Sequence, residues 1–242
     1  MKVIMPMAGL GTRFKDSVLS KPLIPTNQVG EPMWRTSAEC LALPGIEFIF
    51  VIRKQMEKEL RPSLEKWNGG SKVISLLRLT DGPLSTVLEA EEHIDDGPIV
   101  IANCDQFVQW SKADLANYFV TIMSSAGAVV TMNVDDQDRK WSYVKRHGDN
   151  IAIVAEKVPI SDEATLGIYG FENGREFVKF AHQMIASETR VNGEFYVGPV
   201  YNQMIAVGKR IKAYNLTERN IKWCGLGTPE DLIQFKKGEC NG

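Results

Sequence analysis

The 242-residue sequence has little cysteine and less histidine, four of one and three of the other. Cys40, Cys104, Cys224 and Cys240 are scattered, with no Cys-x-x-Cys pair. That spacing argues against a disulfide scaffold and a zinc site, and it predicts reduced thiols in a cytoplasmic protein. His93, His147 and His182 share no metal-ligand spacing. An excess of either charge is also missing, since 28 Lys and Arg face 30 Asp and Glu, a net charge of −2. The balance offers no general attraction to nucleic acid or to a membrane surface, so any phosphate must be met by locally placed cations. No apolar run is long enough to span a bilayer, and no signal-peptide cleavage pattern follows Met1. Repeats, low-complexity tracts and obvious linkers are absent. Two phosphate motifs are absent too. There is no Gly-x-x-x-x-Gly-Lys-Ser/Thr run, and Phe14 stands where the third glycine of a dinucleotide fingerprint belongs.

What is present begins at the N-terminus. The apolar run Val3 to Met7 breaks at Ala8-Gly9-Leu10-Gly11-Thr12-Arg13, and Lys21-Pro22-Leu23-Ile24-Pro25 follows shortly after. Gly9 and Gly11 let successive backbone N–H groups converge on an anion. Thr12 adds a hydroxyl donor. The Arg13 fork matches phosphate oxygens, and Lys21 adds a compact charge that Pro22 and Pro25 hold in place. The pattern predicts a buried strand delivering a glycine loop and two cations to a triphosphate.

Hydrophobic content of 44% suffices for a sizeable core. Strand-like runs at Glu47–Ile52, Lys72–Leu77 and Pro98–Ala102 alternate with helical patterns at Trp34–Leu43, Lys54–Trp67 and Leu84–Ile94. This alternation predicts an α/β fold with a Rossmann-like, doubly wound sheet. The second half reads as short strands at 126–134, 142–144, 151–155, 166–171, 211–216 and 221–224. Helices are expected at Ala113–Met123, Glu176–Ala186 and Gly198–Val207. A last helix opens with Thr228 as N-cap and Pro229 in its first turn. Residues 1–242 are expected to form one domain.

Gly-x-Gly-Thr-Arg-Phe followed by Lys-Pro-Leu-Ile-Pro resembles the signature of the nucleoside-diphosphate-sugar pyrophosphorylases, the sugar-1-phosphate nucleotidyltransferases. The resemblance extends over most of the chain. It implies a glycosyltransferase-A-like nucleotidyltransferase fold with a mixed sheet. The front half, to about residue 110, would bind the nucleotide and the remainder the acceptor. It also implies an NTP and a phosphorylated small-molecule acceptor as substrates, and Mg²⁺ as cofactor. The product would be an NDP-linked compound for polysaccharide or capsule biosynthesis, with pyrophosphate released.

The resemblance assigns site residues in turn. Arg13 and Lys21 would be catalytic, with Ala8, Gly9, Gly11 and Thr12 on the nucleotide. Asn103-Cys104-Asp105 follows the wholly apolar run at 98–102, where ligands of open α/β sheets bind. Asp105 would hold Mg²⁺ and Asn103 would face the nucleotide. Gly82 belongs to a turn suited to close approach by a base or ribose. Glu156, Lys157, Gly167 and Glu194 would bind the acceptor, Lys157 countering its phosphate. Trp141, Ser142 and Tyr143 read as core and edge packing rather than pocket lining.

One departure stands out. Many relatives carry Asp-x-Gly-Thr, its Asp a second Mg²⁺ ligand, where this chain has Gly225-Leu226-Gly227-Thr228. Asp105, phosphates and water could suffice, or another side chain could substitute. Asp231 falls inside the expected last helix and is not taken as that substitute. Two alternatives follow: a cytidylyltransferase acting on a phosphocholine-like or phospho-amide acceptor, and a non-catalytic nucleotide-binding regulatory domain. A glycosyltransferase would use Asp-x-Asp, and Asn103-Cys104-Asp105 has a single carboxylate. The base, the acceptor and any homo-oligomerisation stay open at this level.

Overall fold

The computed structural model describes residues 1–135 and 138–241. The chain opens with β1 (Lys2–Pro6), α1 (Met33–Glu39), β2 (Glu47–Arg53), α2 (Glu57–Glu65), β3 (Lys72–Leu76), α3 (Pro83–Leu88) and β4 (Ile99–Ala102). These four strands lie parallel in the order β3-β2-β1-β4. Alternate residues of one strand point to opposite faces. Val3 and Met5 join one apolar cluster and Ile4 the other, and Phe48, Phe50 and Ile52 part likewise from Ile49 and Val51. Both faces are therefore covered, as the continuous apolar runs require.

β5 (Gln106–Val108), α4 (Lys112–Met123), β6 (Gly127–Asn133), β7 (Ser142–His147), β8 (Asn150–Glu156) and β9 (Glu163–Phe171) come next. They are followed by α5 (Gly174–Ala186), α6 (Val200–Ala206), β10 (Ile211–Asn215), β11 (Trp223–Gly225) and α7 (Pro229–Lys237). The nine-stranded sheet continues from β4 as β9-β6-β10-β8-β7. β9 runs antiparallel to both β4 and β6, so the sheet is mixed and spans both halves of the chain. β7 also turns back to pair Ser142 with Thr165 of β9, while pairing Ser142 with Glu156 of β8. Three strand ends thus converge on one spot.

The helix ends differ from the sequence pattern in instructive ways. α3 stops at Leu88, with a separate 3-10 turn at Glu91–His93 instead of a continuous helix to Ile94. α4 starts where Ser111 and Asp114 form a reciprocal capping box. The predicted N-cap of α7 is observed, with Thr228 accepting from the Asp231 N–H at 3.1 Å. β5 has no counterpart in the sequence pattern. At three residues it has too little alternation to read, and its pairing with β11 defines it.

The thiol expectation is corrected at this point. Cys224 and Cys240 form a disulfide, their Cα atoms 5.2 Å apart. Asn241 bridges back onto Trp223, which lays the segment after α7 alongside β11 and brings the two sulfurs together. Cys40 and Cys104 are free and buried, and burial pushes both thiols up to about 12. Among the described residues, no helix is long and apolar enough to cross a membrane. A cross-link over a loop of this size stabilises by about 3 kcal/mol in the chain-entropy account. Replacing Cys240 by Ser should therefore lower the unfolding free energy extrapolated from urea melts by an amount near that figure. Added reductant should reproduce the shift in the parent and leave the variant unmoved.

Candidate active site

In the parallel order 3-2-1-4 the direction of winding reverses between β1 and β4, the position where open α/β sheets gather ligands. The loops following these two strands meet there. Gly11 adopts φ +67°, and a Cβ on it would lie 2.9 Å from Cβ of Lys21, so the glycine loop packs directly on the lysine stem. Lys21 Nζ in turn reaches Asp105 Oδ2 at 2.5 Å, both side chains being largely buried. Burial alone would lower the Lys21 pKa, but the Asp105 charge and hydrogen bond outweigh it and hold the amine above its ordinary value. Lys21 is thereby kept charged in a place that water reaches poorly.

Two compartments open from this ion pair. A cleft of about 370 Å³ is bounded by Ala8, Gly9, Gly11, Thr12 and Gly82. Gly82, at φ +111°, is needed for steric reasons, since a Cβ there would lie 2.6 Å from the Phe195 carbonyl oxygen. Phe195 N–H donates to the Asp81 carbonyl, and Leu84 N–H donates to the Phe195 carbonyl, bolting this turn to the 194–197 segment. The second compartment, about 190 Å³, lies over the ends of β7, β8 and β9 and includes Asn103, Asp105, Glu156, Lys157 and Gly167. Arg13 and Pro83 line both.

The floor of the strand-end cavity is a buried polar group. Glu156, 7% exposed, accepts a hydrogen bond from Ser142 Oγ. Its pKa is raised, first by burial and further by the Glu194 charge, against the pull of Ser142 and Lys157. Thr165 Oγ1 and the Tyr169 hydroxyl are 3.0 Å apart beside it. Lys157 has φ +57°, rare for a residue with a side chain. Its Nζ engages the Tyr196 hydroxyl and lies 4.4 Å from that ring's centroid. Gly167 has φ +85°, and Asn103 fills the space beside it, where a Cβ would lie 2.3 Å from Nδ2.

Most of the expected residues thus share one region, with adjustments. Asn103 lines the strand-end cavity and a separate hollow with Gly9, Gly11 and Lys21. Glu194 borders the glycine-loop cleft, and touches the cavity through Tyr196, whose hydroxyl donates to it. Trp141 and Ser142 line the cavity, against the packing expectation, while Tyr143 is core. Gln106, Lys140 and Tyr196 have no role in the sequence reading, and Asp231, set aside there, also lines this cavity.

Asp231 bears on the departure at Gly225. A Cβ on Gly225 would lie 3.6 Å from Asp231 Oδ2, so this carboxylate, from the first turn of α7, approaches the vacated position. It holds Lys140 Nζ at 3.2 Å. On the other side of the same turn, a Cβ on Gly227 would lie 2.9 Å from Asp105 Oδ2 and 3.5 Å from Arg13 Nη1. Among the described residues, no group of three or more His, Cys, Asp or Glu side chains is assembled for a metal. Two carboxylates facing a phosphate-sized cavity still suit Mg²⁺, which takes few protein oxygens and fills its shell with water and phosphate.

The profile of one protein family, described as Nucleotidyl transferase, matches residues 2–241. The chain belongs to that family. Three solved structures share the enzyme's fold. The nucleoside-diphosphate-sugar pyrophosphorylase from Vibrio cholerae RC9 aligns with a TM-score of 0.79 and 22% identity, covering 97% of this chain and 99% of that one. UDP-glucose pyrophosphorylase complexed with UDP-glucose aligns at 0.74 and 19%, covering 98% and 97%. The inositol-1-phosphate CTP transferase from T. maritima aligns at 0.73 and 13%, covering 98% and 96%. No curated protein sequence matches the enzyme. The expected mixed, doubly wound fold of the glycosyltransferase-A-like nucleotidyltransferases is the fold observed.

A raised carboxyl pKa has a defined consequence for stability. Because Glu156 titrates above its ordinary 4.5 in the folded state, ionising it costs more there than in the unfolded chain. Its neutral form is the favoured one, so stability is lost as pH rises from the unfolded value through the folded one. Glu156→Gln should match the parent's melting temperature at acid pH and exceed it at neutral pH. Melting curves taken across that range check the divergence.

Proposed function

We propose that the enzyme joins the nucleotidyl group of an NTP to the phosphate of a sugar-1-phosphate or similar small acceptor and releases pyrophosphate. The observation that carries the reading is the Lys21–Asp105 pair where two compartments meet, with Arg13 lining both. A reaction between two phosphates calls for two pockets with a shared, cation-lined boundary. The front half would hold the NTP and the back half the acceptor, within one domain. The neighbours named for UDP-glucose and inositol-1-phosphate support a hydroxylated phosphate as partner.

An acceptor phosphate oxygen attacks the α-phosphorus. The new O–Pα bond forms as the bond from Pα to the bridging oxygen breaks, and the electron pair leaves with pyrophosphate. No enzyme nucleophile is needed. The protein's task is to hold two anions in line and offset their charge. The glycine loop, with Ala8 and Thr12, cradles the triphosphate, and Gly82 leaves room for the base or ribose. Arg13 neutralises the leaving pyrophosphate, Lys21 the α-phosphate and Lys157 the acceptor phosphate. Glu156 and the backbone at Gly167 meet the acceptor body, and Glu194 steadies Tyr196 beside Lys157. Asp105 and Asp231 would hold Mg²⁺, which supplies Lewis-acid neutralisation of phosphate charge. An NTP donor suits a cytoplasmic location and a product used in polysaccharide assembly.

Losing a donor aimed at transition-state charge costs about 2.7–4 kcal/mol. Arg13→Ala and Lys21→Ala should each lower turnover by about a hundredfold or more on that scale. Pyrophosphate release, measured with each NTP against a panel of phosphorylated acceptors and Mg²⁺, tests this directly. Rates near the parent's in both variants would sink the mechanism, and NTP binding without release would leave a regulatory domain.

A further inference from the structure

A second hollow, about 500 Å³, adjoins the strand-end cavity and has no part in the chemistry above. Asp135, Asp138 and Glu230 line it. The two spaces share Lys140, Trp141, Gly225 and Asp231. Trp141 is the largest of the four, and its ring is held from several sides. It stands on Gly225, where an added Cβ would lie 3.0 Å from Cη2. Gly225 is outside the left-handed region, so a side chain there would meet the ring and not backbone strain. Trp223 meets the indole edge to face, with ring centres 6.1 Å apart. Lys140 Nζ lies 4.9 Å from the centre of the Trp141 ring and 3.2 Å from Asp231 Oδ1. The Trp141 carbonyl accepts from the Lys157 N–H at 3.1 Å, which ties this wall to the residue assigned to the acceptor phosphate.

We infer that Trp141 is a specificity-determining residue, a partition that ends the strand-end cavity and limits the length of the acceptor. The inference rests on the nucleotidyl-transfer reading of that cavity. An acceptor with its phosphate at Lys157 and its body at Glu156 and Gly167 meets the indole where it extends toward β11. Close packing on Gly225 and Trp223 leaves the ring little room to yield. Glycine at position 225 is the seat that the ring requires. The departure from Asp-x-Gly-Thr thus has a steric reason, since a longer side chain would start against Cη2 and drive the ring aside. Removing the ring would join the cavity to the hollow behind it. Asp135, Asp138, Glu230 and Asp231 outnumber Lys140 there. A lengthened acceptor ending in an amine suits that space, and one ending in a carboxylate does not. A well-packed pocket distinguishes one methylene by about 10–200-fold in kcat/KM.

The test compares the parent with Trp141→Ala and Trp141→Leu by pyrophosphate release, the leucine keeping apolar bulk should alanine fail to fold. Acceptors are glucose 1-phosphate, inositol 1-phosphate and phosphoethanolamine, each beside derivatives lengthened at every substitutable position by a propyl, aminopropyl or carboxyethyl group. At one position the parent should reject the lengthened acceptor, and the variants should raise its kcat/KM at least about tenfold. The aminopropyl derivative should gain more than the carboxyethyl one. The unlengthened acceptor should gain nothing, and the KM for NTP should stay at the parent's value, which also reports a folded site. A ring that merely supports the fold could not produce a gain confined to longer acceptors. A parent that rejects no derivative overturns the inference. So do variants with the parent's KM for NTP that gain on none, or that gain equally on short and long acceptors. A larger gain for carboxyethyl than for aminopropyl overturns it too, because the space opened would not be the acidic hollow. Absence of pyrophosphate release from the parent with every pair is a different failure, that of nucleotidyl transfer itself, and it takes the inference with it.

Discussion

The ion pair between Lys21 and Asp105 is the contact on which the rest of the site depends. Neither partner could be removed without stranding the other in a place water reaches poorly. The lysine stem supports the glycine loop through Gly11, and the carboxylate faces Gly227. Leu226 N–H donates to the Asp105 carbonyl at 2.7 Å, so backbone and side chain of Asp105 both hold the turn after β11. Segments from the two ends of the chain are thus fixed against the end of β4. Burial and charge oppose each other at Lys21, and charge wins. Lys21 is therefore held in its charged form, in a protein whose net charge offers phosphate nothing.

Around that pair, close approach of backbone decides where side chains can stand. Gly82 seats the 80–84 turn on Phe195, and Gly167 yields its Cβ space to Asn103. In both cases the glycine serves the neighbouring protein segment first and any ligand second. The family resemblance assigns Gly167 to acceptor binding. The geometry adds the prior demand that Asn103 fit at all.

Much of this was legible in the sequence, for a physical reason. Arg13, Lys21, Gly82, Asp105 and Glu156 each follow a strand or glycine turn whose own pattern announces it, and strand ends in a parallel sheet gather at one edge. The rest depends on pairings that leave no periodic trace. β5 and β11 are three residues each, yet their register sets Gln106 opposite Gly225. Asp231 turns back from a helix start toward Gly225, a direction that sequence spacing does not encode. The Cys224–Cys240 bond needs the segment after α7 to fold back on Trp223. Ser142 looked like packing because its role comes from pairing with β8 and β9 at once. Glu194 was legible as part of a turn, but the side of the wall it faces was not.

Arg13 belongs to both compartments, and thermodynamics attaches a condition to that. An anion in one compartment that draws the guanidinium toward itself alters the field felt in the other. Linkage makes the effect reciprocal, so whatever factor one ligand imposes on the other's dissociation constant is returned in equal measure. Two substrates that meet at a single cation are therefore not bound as independent guests. Their affinities form one coupled quantity, set by where one side chain comes to rest.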